Sequence, residues 1–241
     1  MQNKNTQVLA GIRVLDFGSF ITAPYAAMLL GELGADVIKV ERPGSGDPFR
    51  AFNGGLYSSH FQAHNRNKRS VALEHTAPAA EKAFRALIEG ADVVLLNVRP
   101  GVERKIGLDY DHLRSINSNI IYCSITGYGA SGPYAERAAY DNVGQSLSGW
   151  LSMFHQGPDA RVAGPAVSDA LTGMYAAMGI LAALAERARG GGRSQGGSQH
   201  ARVDDRLRHR APGHRQRRAY SIQRARLIAR QSHAIENAHL G

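Results

Sequence analysis

The stretch with the most chemical potential lies past the middle of the chain: Val167-Ser168-Asp169-Ala170-Leu171-Thr172-Gly173-Met174. It sets one carboxylate, Asp169, where an apolar helix begins. A carboxylate is a weak nucleophile, but it is ionised at neutral pH and needs no neighbouring base. A helix N-terminus favours the charged form, typically by a fraction of a kcal/mol when exposed. The competing use of an acid here is structural, with Ser168 or Asp169 serving as the N-cap. Local pattern alone favours the cap, because capping acids are common and nucleophilic ones are rare. Behind Asp169, the residues Leu171, Met174, Tyr175, Met178, Leu181, Ala182 and Leu184 recur at helical spacing. They predict a helix to about Arg189 with that face buried.

The upstream chain supplies elements that would hold such a residue. Gly11 to Phe17 alternates apolar residues and reads as a strand. Gly18 and Ser19 turn the chain, Pro24 suits an early helical position, and Gly34 ends the apolar helix that follows. Ala35 to Glu41 is a second strand, so this β-α-β unit implies a parallel sheet. Residues 42–48 form a loop rich in Pro and Gly, and 58–64 are too short and mixed to assign. A basic turn at 65–69 leads into a strand at 70–73. A helix runs from Pro78 through Ile88, and strands at 91–97 and 120–125 flank a helix at 109–116. Asp141 to Trp150 reads as helical, with Trp150 in a core or cleft, and a loop follows at 155–159. The alternation predicts an α/β fold built on a doubly wound, mostly parallel, Rossmann-like sheet. Gly127-Tyr128-Gly129-Ala130-Ser131-Gly132 spells GxGxxG. It is followed by Pro133 and turn formers rather than a helix, so it reads as a surface turn and not a dinucleotide site.

The 241 residues suffice for one large domain or two small ones, with an ordinary apolar fraction of 43%. A single cysteine, Cys123, excludes an intrachain disulfide and suits a reducing compartment. No run approaches the roughly 18 unbroken apolar residues of a membrane span. The polar N-terminus has no signal-peptide core. A cytoplasmic protein without a membrane partner is expected. The net charge of +9 is unevenly placed. Residues 1–189 are close to neutral, whereas 190–241 hold 11 Arg, no Lys and three acids.

Together the motifs resemble the class III CoA-transferases, the CaiB/BaiF family. The carriers are residues 11–17 and 34–47, Asn65 to Ser70, Asn97-Val98-Arg99-Pro100-Gly101, Gly127-Tyr128-Gly129, Gly132-Pro133, Tyr140-Asp141, Asp169 with Thr172-Gly173-Met174, and 179–184. Their order and spacing are strongly specific and cover about three-quarters of the chain. The resemblance implies CoA transfer between an acyl-CoA and a small carboxylic acid. Asp169 would attack the thioester, form a mixed anhydride, and then carry CoA as an aspartyl-CoA thioester. Ala166, Ala170 and Gly173 leave room for one. The resemblance also implies CoA-binding positions at Ile21, Thr22, Arg42, Leu73, Asn97, Val98, Arg99, Arg104, Arg137 and Ala138. Arg42 would contact the nucleotide and Arg104 a phosphate, since a guanidinium binds two oxygens at once. Taken singly, each arginine reads as a solvated surface charge. No metal and no permanently bound cofactor are implied, coenzyme A being substrate. An interlocked homodimer is a family property. Ile21 replaces a family glutamine, and Ala138 a lysine, with Arg137 adjacent. These departures point to a branch other than formyl-CoA transferase. The alternative enzyme is an α-methylacyl-CoA racemase, which needs an acid and a base around the α-carbon.

The expected organisation is therefore a CoA-binding α/β domain over 8–189 and an Arg-rich tail over 190–241. With one aromatic, Tyr220, the tail lacks stacking residues, so nucleic acid is not expected as a partner. It reads as disordered or out of frame. A codon choice exists for Arg193 to Arg206 that, read one base later, gives Gly-Arg-Lys-Val-Glu-Val-Ser-Met-Leu, as family members carry after this helix. A frameshifted, truncated transferase is the expectation, and an inactive CoA-binding fragment is its non-catalytic alternative.

Overall fold

Short apolar strands and the helices between them build a three-layer α/β unit. The computed structural model describes residues 7–52, 54–55, 57–154 and 164–189. The loop expected at 155–159 and the segment 190–241 lie outside the described residues. The strands are β1 (Arg13–Asp16), β2 (Asp36–Glu41), β3 (Lys68–Ala72), β4 (Val93–Leu96) and β5 (Ile121–Ser124). The helices are α1 (Thr22–Glu32), α2 (Ser59–Asn65), α3 (Glu81–Glu89), α4 (Val102–Lys105), α5 (Tyr110–Ile116), α6 (Asp141–Ser148), α7 (Trp150–Phe154) and α8 (Val167–Arg189). Short 3-10 turns occupy Pro48–Ala51 and Pro78–Ala80.

The sheet order is β3-β2-β1-β4-β5, with every neighbouring pair parallel. Strand alternation sends successive side chains to opposite faces. Val14, Val93, Leu95, Ile121 and Cys123 pack with α1 and α8 on one face. Leu15, Ile38, Val94, Leu96 and Tyr122 pack with Phe84 and Ile88 of α3 and Leu113 of α5 on the other. Helices therefore cover both faces, as a doubly wound sheet requires. The order reverses between β1 and β4, and in such sheets ligands bind beyond the carboxyl ends of the strands at that switch point.

Helix α8 departs from expectation in two ways. It starts at Val167, so Asp169 lies within its first turn instead of capping it. Its buried residues are Gly173, Ala176, Ala177, Ile180, Ala183 and Leu184, whereas Leu171, Met174, Tyr175 and Met178 are exposed. The physical reason is close approach to α1. A Cβ on Gly173 would stand 2.8 Å from the Thr22 carbonyl oxygen and 3.0 Å from Tyr25. Only small residues let two helices come so near, so around Gly173 side-chain size rather than hydrophobicity selects the buried face. By length and composition α8 could also cross a membrane, with mean hydropathy 1.4. Its unbroken apolar run extends only from Gly173 to Ala185, however, and its small face is packed inside the unit.

Other differences are smaller. α2 forms over the short, mixed stretch at 58–64, and Ser58 caps it, its Oγ accepting the Phe61 N–H at 3.2 Å. Gly149, at φ 80°, ends α6 before Trp150. Trp150 then starts α7 and is 38% exposed, so it is no core residue.

Candidate active site

The end of β4 and the turn after β1 meet through Asn97. Its Oδ1 accepts the Ser19 N–H at 2.9 Å, and its Nδ2 donates to the Ser19 carbonyl at 2.8 Å and to Thr22 Oγ1 at 2.9 Å. The structure thus brings Asn97, Thr22 and the neighbouring Ile21 together at the switch point. Thr22 also touches α8, because its carbonyl faces Gly173. Asp169 is one helical turn before Gly173 on the same face of α8. The first turn of α8, the start of α1 and the end of β4 therefore converge.

Asp169 has a partner that linear reading missed. The Oδ1 of Asp141, the first residue of α6, accepts the Asp169 N–H at 3.1 Å. The N–H groups of a helix's first turn have no partner within the helix, and Asp141 supplies one from another helix. Gln145 Nε2 holds the other Asp141 oxygen and donates to the Pro165 carbonyl at 3.2 Å. Gly144 permits this approach, since a Cβ there would lie 2.1 Å from Ser168 Oγ. Burial, and secondly the Asp141 charge, raise the Asp169 carboxyl from 3.8 to about 6. These two effects outweigh the helix N-terminus, which acts the other way. At pH 7 and above the group is still mainly ionised, and it is more basic than a free aspartate.

The remaining predicted positions divide. Leu73 and Val98 are partly buried and pack with Phe17 and Ile106 against the α3/α5 face of the sheet. Arg42 follows β2 with its side chain 75% exposed and its Nε 3.7 Å from Glu74, a pairing too wet to hold it firmly. Arg104, on α4, lines a cleft with Glu103, Asp109, Tyr110, Tyr122 and Ser124. Arg99 and Ala138 are exposed. Arg137 is exposed too, and its guanidinium stacks 4.2 Å from the Tyr134 ring centre. The side-chain contacts of Arg42, Arg104 and Arg137 are with Glu74, with the cleft beside α4 and with Tyr134, and among the described residues none of them is with Asp169, Asn97 or Thr22. Among the described residues no group of three His, Cys, Asp or Glu side chains is arranged to hold a metal.

Residues 9–198 match the profile of CoA-transferase family III. The chain belongs to this family. Among its relatives in CoA-transferase family III is the succinate–glutarate CoA-transferase of Agrobacterium fabrum, 41% identical over 194 residues, which span 76% of this chain and 48% of that protein. The succinyl-CoA:glutarate CoA-transferase of Homo sapiens is 40% identical over 189 residues, spanning 76% of this chain and 43% of that one. Solved structures agree. A CAIB/BAIF family protein from Brucella suis superposes with TM-score 0.69 at 40% identity, over 76% of this chain and 50% of that one. Rv3272 from Mycobacterium tuberculosis does so with TM-score 0.70 at 38% identity, over 77% and 51%. The chain spans about half the length of the curated relatives it matches.

Proposed function

We propose that residues 8–189 form the CoA-binding α/β domain of an enzyme that moves CoA between an acyl-CoA and a small carboxylic acid, with Asp169 as the nucleophile. The observation that carries this reading is the setting of Asp169. It is a half-buried carboxylate raised to about 6 by burial and the neighbouring Asp141 charge, in the first turn of a long helix and among small residues. The Asp169 carboxylate attacks the thioester carbonyl, and CoA thiolate leaves as a mixed anhydride forms. The thiolate attacks the aspartyl carbonyl of that anhydride, releasing the first acid and leaving aspartyl-CoA. The acceptor carboxylate attacks this thioester, expelling CoA thiolate and forming a second mixed anhydride, and the thiolate then attacks the acceptor's carbonyl of that anhydride to give the new acyl-CoA and free Asp169. Positioning supplies most of the acceleration, since effective molarity can be worth about 7–11 kcal/mol. Arg42 contacts the nucleotide of CoA and Arg104 a phosphate. Relatives named for succinate and glutarate support a small dicarboxylate as the acceptor class.

The Arg-rich segment 190–241 is read as out of frame, a reading supported by its composition. Resequencing the gene around codons 189–193 tests it, and a confirmed frame with expressed protein ending at Gly241 defeats it. For the chemistry, the 241-residue chain and a frame-restored version are each incubated with succinyl-CoA and digested for mass spectrometry. A CoA adduct on Asp169, absent from Asp169→Ala, is expected. Acyl transfer by the restored chain with no dependence on Asp169 would refute the nucleophile.

A further inference from the structure

Between β1 and α1 the backbone makes an unusual turn. Phe20 stands at φ 62°, in the left-handed region that bulky residues avoid. A Cβ on Gly18 would lie 2.4 Å from that of Ala23, so only glycine fits there. Every backbone polar group from the Gly18 N–H to the Phe20 N–H is held by a side chain. Asp16 Oδ1 accepts the Gly18 N–H at 2.8 Å, and Lys39 Nζ donates to the Gly18 carbonyl at 2.8 Å. Asn97 takes both groups of Ser19, and Asp47 Oδ1 accepts the Phe20 N–H at 3.3 Å. These four side chains come from β1, β2, the loop after β2 and the end of β4.

The chemistry of this cage is unusual for a purely stabilising core. Lys39, its side chain only 2% exposed, lies 2.9 Å from Asp47 and 3.5 Å from Asp16. Desolvating such charges is expensive, and apolar residues of similar volume often stabilise as well or better. What a charged cage provides, and an apolar one does not, is a fixed path for the backbone. The same bonds exclude another use of the turn. With the N–H groups of Gly18, Ser19 and Phe20 all engaged, it cannot cradle a phosphate as glycine-rich turns at this place in the fold do. Asn97 has no side-chain hydrogen left to donate to a ligand either, since both on its Nδ2 are donated within the protein.

We propose that Asp16, Lys39, Asp47 and Asn97 are positioning residues that template the β1–α1 turn and thereby set Ile21 and Thr22 against α8. The link to catalysis rests on the CoA-transfer reading above; the templating of the turn does not.

The test compares the full chain with Asn97→Ala, Asn97→Asp and Lys39→Met. Asn97→Asp keeps an acceptor for the Ser19 N–H and loses both donated bonds. Amide hydrogen exchange at Gly18, Ser19 and Phe20 is read by NMR, CoA affinity by calorimetry, and adduct formation on Asp169 in a single turnover. Asn97→Ala is expected to lower Ser19 protection about tenfold or more, with Asn97→Asp between it and the unmodified chain. Adduct formation should slow roughly 10- to 100-fold, and CoA affinity, read through Ile21 and Thr22, should fall by less than that. Unchanged Ser19 protection in Asn97→Ala overturns the proposal, and so does a tenfold loss of CoA affinity with an unaltered adduct rate. Should Lys39→Met fail to fold, the two Asn97 variants decide the matter. Failure of the CoA-transfer reading shows separately, as no CoA binding and no adduct in the unmodified chain. The exchange data then decide the turn on their own.

Discussion

Asp141→Asn separates the charge of Asp141 from its hydrogen bond. Asparagine keeps an oxygen for the Asp169 N–H, so the first turn of α8 stays fastened while one negative charge disappears. Burial and the Asp141 charge together raise the Asp169 carboxyl from 3.8 to about 6, with burial the larger cause. Asp141 therefore accounts for less than half of the rise, about one pH unit at most. That corresponds to a ceiling of about 1.4 kcal/mol, and water reaching the half-buried carboxyl reduces it to below about 1 kcal/mol. The titration midpoint of Asp169 should fall below about 6 in the variant, by less than half of the whole rise. Carbon-13 NMR of aspartate side-chain carboxyls reads this directly, with the Asp169→Asn spectrum assigning the signal. The acid limb of the pH profile for adduct formation should move down by the same amount. The folded value lies above the free one, so the folded chain holds the extra proton between about 4 and 6 and loses stability as pH rises through that window. Asp141→Asn lessens that loss. A midpoint that stays at about 6, or rises, refutes the coupling. Asp141→Ala removes charge and bond together and should cost about 1 kcal/mol more stability than Asp141→Asn.

Gly173→Ala decides whether the α1–α8 contact is as close as described. An open helix position would gain up to about 1 kcal/mol from alanine, but the Cβ would meet the Thr22 carbonyl at 2.8 Å, so urea unfolding should show a loss of about 1–3 kcal/mol. Gly144→Ala should likewise show no helix-propensity gain, and should slow adduct formation on Asp169, because its Cβ would displace Ser168; a stabilised variant with an unchanged adduct rate would refute that contact. Glu41 is held near 2, below its ordinary 4.5, by Arg50, Ser70 and the Asp47 N–H acting against burial. Its stabilisation, on the order of 1–2 kcal/mol after allowing for solvent, is present above about 4.5 and lost as pH falls through about 2. Acid titration should find Arg50→Ala less stable than the parent at pH 7, with the gap closing towards pH 2.

The alternating strands of the sheet, the glycines and prolines bounding them, and the family motifs around Asn97 and Asp169 are written in local order, because strand period and turn chemistry depend on near neighbours. From them the doubly wound parallel fold and most helices followed directly. The face that α8 buries did not. Leu171, Met174, Tyr175 and Met178 carry the apolar signal, yet Gly173, Ala176 and Ala177 are buried, since the spacing between two helices is a property of the pair. Asp141 and Asp169 are 28 positions apart, and no local pattern says that one receives the other's N–H. Lys39 lies in a run that reads as an ordinary strand, and only the parallel register that sets Asp16 beside it makes it a buried clamp on Gly18. The sequence by itself determined the layers and the candidate carboxylate. The tertiary structure decided what surrounds that carboxylate, because the charges and backbone groups touching the site arrive from strands and helices distant in the chain.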